Sequence, residues 1–191
     1  MCVFCGSRPG RDAGYLELAR TVGTLLGQRG IALVYGGGRV GLMGALADAA
    51  LAANGRVIGV IPQMLVDREV GHGNLSELHV VRTMSERKEL MGELSNSFLT
   101  LPGGTGTLDE LFEAWTWTQL GLQSKPCGLL NFRGFYDPLL AFLDHSVEAG
   151  FLGAQNRASL CVDEDPARLI ERLCVNSDTP DSSGAGGGHA A

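Results

Sequence analysis

Apolar runs of β-type character alternate with stretches of helical periodicity along nearly the whole chain, and that alternation most restricts the fold. Strand, helix and strand in repeated succession build a parallel sheet, because each crossover returns the chain to the same end of the sheet and buries a helix on its face. Strands are predicted over residues 1–6, 31–35, 56–61, 78–82, 98–101, 127–131 and 160–163. Helices are predicted over 12–29, 42–53, 84–95, 108–120, 136–149 and 166–174, with an irregular stretch at 63–76. The expectation is an α/β protein, a doubly wound parallel sheet with helices on both faces. At 191 residues, one core can remove about 70% of the unfolded surface from water, so one domain over residues 1–175 is expected. The stretch 176–191, NSDTPDSSGAGGGHAA, offers almost nothing to bury and reads as a disordered tail in which His189 has no role.

Charge and cysteine usage exclude several classes. Twenty-one acidic against fifteen basic side chains give a formal charge of −6, so the chain lacks a global cationic footprint for nucleic acid. No stretch approaches the roughly 20 apolar residues of a membrane span, and the N-terminus has neither part of a signal peptide, so a soluble, cytoplasmic protein is expected. Five cysteines, an odd and scattered set, argue against a secreted disulfide framework. Cys2 and Cys5 form a C-x-x-C, but strand alternation sends them to opposite faces, against redox or zinc chemistry. His72, His79 and His145 have no ligand spacing, so no metal is expected.

In an open parallel sheet, ligands bind beyond the carboxyl ends of the strands. Two loops there are glycine-rich. Gly36-Gly37-Gly38-Arg39-Val40-Gly41 matches G-x-G-x-x-G, yet the next strand ends Ile61-Pro62-Gln63 without an acid for a ribose hydroxyl, so NAD(P) is disfavoured. Close approach of a phosphate or sugar, or a structural tight turn, remains. The second loop, Pro102-Gly103-Gly104-Thr105-Gly106-Thr107, leads from an apolar strand straight into a helix, whose unpaired N–H groups suit an anion. No Gly-Lys-Ser/Thr follows, so a phosphate would be held there as a handle. Glu110 lies three residues after Thr107: the pair is either a capping box or a carboxylate set beside a bound sugar. Arg87 falls within the apolar arc of Met84, Leu90, Met91 and Leu94, which requires an anionic partner, either a protein carboxylate or a ligand. Lys88 flanks that arc and can snorkel to the same place.

These residues resemble the LOG family: PGGTGTLDE at residues 102–110 is similar to its PGGxGTxxE signature, and Met84-Ser85-Glu86-Arg87-Lys88 to its M-x-x-R-K. The likeness extends through Cys5-Gly6-Ser7, Tyr35-Gly36-Gly37-Gly38, Gly41-Leu42-Met43-Gly44, Gly59-Val60-Ile61-Pro62 and Lys125-Pro126. The resemblance implies a Rossmann-like homodimer without cofactor or metal. It further implies a cytokinin-activating phosphoribohydrolase that splits N6-substituted adenosine 5′-monophosphate into free base and ribose 5-phosphate. By the same implication Arg87 and Glu110 are the catalytic pair. Ser7, Gly38, Glu69, Met84, Lys88, Gly103, Gly104, Thr105, Gly106, Thr107 and Thr116 then contact the substrate. Asn96 stands where the family commonly carries Asp. Two alternatives stay open: a nucleotide-binding carrier or regulator without turnover, and a decarboxylase, a label such proteins often bear. The latter needs a Schiff-base lysine for pyridoxal phosphate, and the only candidates are Lys88 and Lys125.

Overall fold

The computed structural model describes residues 1–66 and 71–177 of the chain. Seven strands form one sheet: β1 (Cys2–Phe4), β2 (Leu33–Tyr35), β3 (Val57–Pro62), β4 (Glu77–Val81), β5 (Phe98–Thr100), β6 (Cys127–Leu130) and β7 (Leu160–Asp163). All six pairings are parallel and the order is β4-β3-β2-β1-β5-β6-β7. β2, β3 and β4 wind outward on one side of β1, and β5, β6 and β7 on the other, so the switch in winding falls between β1 and β5. A crevice opens there by construction.

The period of two that marks the strands divides their side chains between two cores. Val3, Cys5, Leu33, Tyr35, Leu99 and Leu101 enter one, where α1 (Gly14–Gln28), α2 (Gly41–Ala52) and α8 (Pro166–Ser177) pack. Cys2, Phe4, Val34, Ile58, Val60 and Phe98 enter the other. That face is covered by α4 (Met84–Glu93), α5 (Thr105–Gln119) and α6 (Asp137–Glu148), through Met91, Leu111, Trp115 and Leu143. Helices on both faces make this a doubly wound, Rossmann-like α/β fold. Cys2 and Cys5 lie in opposite cores, both buried, as strand alternation requires.

Three features depart from the sequence reading. The stretch predicted as irregular opens with a short helix, α3 (Gln63–Val66), and a further short helix, α7 (Ala154–Ser159), precedes β7. Neither is long enough to show helical periodicity. The helix expected to begin at Leu108 begins at Thr105, one turn earlier. Its first turn, Thr-Gly-Thr, carries no apolar stripe, and Gly104 in extended conformation serves as the N-cap. Residues 178–191, with His189, lie outside the described residues, as does Glu69.

Candidate active site

A cavity of about 620 Å³ occupies the crevice above β1 and β5. Its wall includes Ser7 and Arg8 after β1, Leu42 and Met43 in the first turn of α2, residues 102–107 after β5, and Arg87 and Glu110 from α4 and α5. Tyr15, Leu65 and Phe135 complete its apolar part.

The loop after β5 is shaped by glycine. A Cβ on Gly103 would stand 2.1 Å from Thr107 Oγ1, so only glycine lets the loop lie against the buried Thr107. A Cβ on Gly104 or Gly106 would meet nothing within 4 Å. Backbone is therefore open to the cavity at the start of a 15-residue helix whose N-cap, Gly104, has no side chain to occupy its first N–H groups. The first N–H groups of such a helix have no intrahelical acceptor, and the aligned peptide dipoles add a partial positive charge.

Because α5 starts at Thr105, Thr107 is its third residue and Glu110 its sixth. The capping-box explanation of their spacing is thereby overturned: the cap is Gly104, and Glu110 is free to point elsewhere. It points to Arg87, with Nη1 3.0 Å from Oε1, and both side chains are about one-tenth exposed. Arg87 Nε donates to the Val60 carbonyl of β3 at 3.1 Å. A Cβ on Gly36 would lie 2.0 Å from Arg87 Nη2. The guanidinium thus occupies a slot that only glycine leaves open at the end of β2. Its helical setting was legible: Arg87 and Met91, one turn apart, both face the sheet, although Met84 and Leu94 at the helix ends are more than a third exposed. Burial pushes the Glu110 carboxyl above its ordinary value, with Arg87 pulling the other way. The pair is held at a cost in solvation, a frequent property of reacting groups.

The other candidates separate. Ser7 and residues 103–107 line the cavity with Arg87 and Glu110. Gly38, Met84, Lys88 and Thr116 do not. Gly38 pairs with Gly71 in an isolated antiparallel bridge. Met84 opens α4, Thr116 is exposed on α5, and Lys88 bridges Asp109 at 3.2 Å and Glu113 at 2.5 Å. In the first glycine-rich loop, where close approach of a ligand or a structural turn was expected, three glycines meet protein: Gly36 faces Arg87, Gly37 faces Ile61 and Gly41 the Ser7 carbonyl. Sequence reasoning missed Arg8, Tyr15, Leu42, Met43, Leu65 and Phe135 in the cavity wall. Only Arg8, next to Ser7 in a strand-end loop, carried a signal.

Pyridoxal phosphate does not fit this cavity. A Schiff base needs a lysine inside it, and neither lysine lines it. Lys88 is held by two carboxylates and Lys125 donates to the Gly92 carbonyl at 2.7 Å. Among the described residues no three His, Cys, Asp or Glu side chains gather to hold a metal, and no helix is long and apolar enough to cross a membrane.

Fold and site together define a Rossmann-like α/β protein with an anion-receptive, glycine-lined cavity at its switch point and an Arg–Glu pair in its wall. A family model described as "possible lysine decarboxylase" matches residues 43–173. Cytokinin riboside 5′-monophosphate phosphoribohydrolase of Rhodococcoides fascians is 48% identical over 164 residues, 85% of this chain and 83% of that one. The phosphoribohydrolase LOG of Oryza sativa subsp. japonica is 49% identical over 173 residues, 91% and 72% of the two chains. The molybdenum cofactor carrier protein of Chlamydomonas reinhardtii superimposes with a TM-score of 0.65 at 23% identity, over 91% of this chain and 96% of that one, a likeness of fold. The chain belongs to the LOG family.

Proposed function

We propose that the protein hydrolyses the N-glycosidic bond of N6-substituted adenosine 5′-monophosphates, releasing free base and ribose 5-phosphate. One observation carries this reading: the Arg87–Glu110 pair, 3.0 Å apart, shares a cavity wall with an open helix N-terminus. The relatives' names, at 48–49% identity, support the same reaction. Residues 103–107 hold the 5′-phosphate through backbone N–H groups. As the C1′–N bond stretches, positive charge builds on the ribose, and Glu110, the only carboxylate lining the cavity among the described residues, stabilises it. Water then adds its oxygen to C1′, Glu110 accepts the water proton, and the departing base takes up a proton of its own. Arg87 keeps Glu110 ionised and aimed. Ser7 completes the phosphate end, while Gly38, Met84, Lys88 and Thr116 act from outside the described cavity wall, and Glu69 is assigned to the substrate by the family likeness alone.

The working unit is a homodimer in the cytoplasm. Exposed Met84, Leu94, Leu120 and Leu122 along the α4–α5 side support self-association, and the buried thiols of Cys2, Cys5 and Cys127 suit a reducing compartment. The test is a chromatographic time course with AMP and with N6-isopentenyl-AMP, for the wild type and Glu110→Gln. Base release by the wild type, and a fall of roughly 10²–10⁴-fold in the variant, is expected. Equal turnover by both would remove Glu110 from the chemistry.

A further inference from the structure

The cavity holds two arginines against one glutamate, within a chain of net charge −6. Arg87 is spoken for by Glu110. Arg8 is not: no described carboxylate makes an ion pair with it, and it lies on the cavity wall. With Arg87 paired to Glu110, Arg8 is the one cation lining the cavity without a described counter-charge.

The backbone that carries Arg8 is fixed against the phosphate loop. Gly6 N–H donates to the Pro102 carbonyl at 3.2 Å, and a Cβ on Gly6 would stand 3.5 Å from Gly103 Cα. On its other side the loop packs on the start of α2, where a Cβ on Gly41 would come within 2.7 Å of Arg8 N. Pro9 fixes its own φ and restricts Arg8 before it, and Gly10, at φ +75°, lies on the Tyr15 ring. The segment 7–10 is therefore braced on three sides. Arg8, exposed on this segment, shares the cavity wall with an N–H-rich helix start and is within reach of whatever anion that start accepts.

We propose that Arg8 is the residue by which this site distinguishes a 5′-monophosphate from an unphosphorylated nucleoside. Backbone N–H groups satisfy phosphate oxygens but leave most of a dianion's charge unanswered, and Arg8 supplies a full opposing charge with a planar fork of donors. The proposal takes its substrate from the phosphoribohydrolase reading above. It predicts a KM effect with little kcat effect, because the phosphate is bound alike in ground and transition states.

Steady-state rates of Arg8→Ala and Arg8→Lys with AMP and with adenosine test it. KM for AMP should rise about tenfold in Arg8→Ala with kcat within about twofold. The rate on adenosine should not change, and Arg8→Lys should recover part of the loss. A wild-type KM for AMP in Arg8→Ala, or an equal loss on adenosine, overturns the assignment. Absence of base release by the wild type would instead overturn the hydrolase reading. Calorimetric titration with AMP then decides the role of Arg8: about tenfold weaker binding in Arg8→Ala supports it and equal binding refutes it.

Discussion

Replacing Gly36 by alanine should disable the Arg87–Glu110 pair while leaving both members in the chain. The new Cβ would lie 2.0 Å from Arg87 Nη2 and 3.2 Å from Met43 Sδ. Comfortable contact needs about 3.5 Å, so the guanidinium must retreat by about 1.5 Å. Glu110 blocks one direction at 3.0 Å, and movement along any other stretches the ion pair or the bond to the Val60 carbonyl. Misplacing a reacting group by about 1 Å costs on the order of 10²-fold in rate. Gly36 is outside the left-handed region, so backbone strain adds nothing and the whole effect is steric. Full removal of one member of a buried pair costs about 3–5 kcal/mol. A displaced guanidinium that still reaches the cavity should cost less, about 1–3 kcal/mol, or a fall in Tm of roughly 2–12 °C for a chain of this size. The assay is base release with a parallel thermal melt, repeated in an Arg87→Ala background, where the added Cβ meets no guanidinium and should cost no further turnover. Wild-type turnover and Tm in Gly36→Ala would refute the slot; an equal loss of turnover in both backgrounds would show that Gly36 acts by another route.

The remaining predictions concern the loop and two carboxylates. Gly103→Ala drives a Cβ into Thr107 and should raise KM by prying the phosphate loop from its support, whereas Gly104→Ala, with open space around it, should leave the melting temperature unchanged. Kinetics and melts on the two variants check this contrast. Burial sets the Glu110 carboxyl above the ordinary 4.5, so kcat should decline as pH falls through a point higher than that, and Glu110→Gln should remove this acid limb from the pH–rate profile. Asp163 is held at about 2, first by its hydrogen bond from Arg168. Its stabilising contribution is complete above the unfolded value of 3.8 and disappears as pH drops toward about 2. Acid titration of Asp163→Asn should therefore be shallower over that interval.

Strand order aside, the sheet was legible because each strand's apolar run is short and bounded, and because stretches of helical period 3.6 alternate with those runs. The buried setting of Arg87 was legible for a similar reason: one charged side chain inside an apolar arc stands out against a period of 3.6. Helix starts were less so. Gly104 caps α5 through backbone geometry, which leaves no side-chain signature, and the expected cap at Thr107 came from reading residue type without that geometry. The slot at Gly36 was hidden altogether, since it depends on β2, β3 and α4 meeting at one point. Lys88 and Thr116 lie on motif-bearing helices, but their azimuth carries them away from the cavity, to carboxylates and to solvent respectively.

The anion-receptive end of the cavity, Gly104 and Gly106 at the mouth of α5, is drawn in main chain. A surface without side chains cannot be worn away by substitutions that shorten them; it is lost only when a substitution adds bulk. The apolar wall of Tyr15, Leu65 and Phe135 has no such protection, and each of its positions can be resized one at a time. Laboratory evolution of this chain should therefore shift which base is accepted long before it abolishes anion binding at the mouth of α5, where Arg8 is the side chain open to loss.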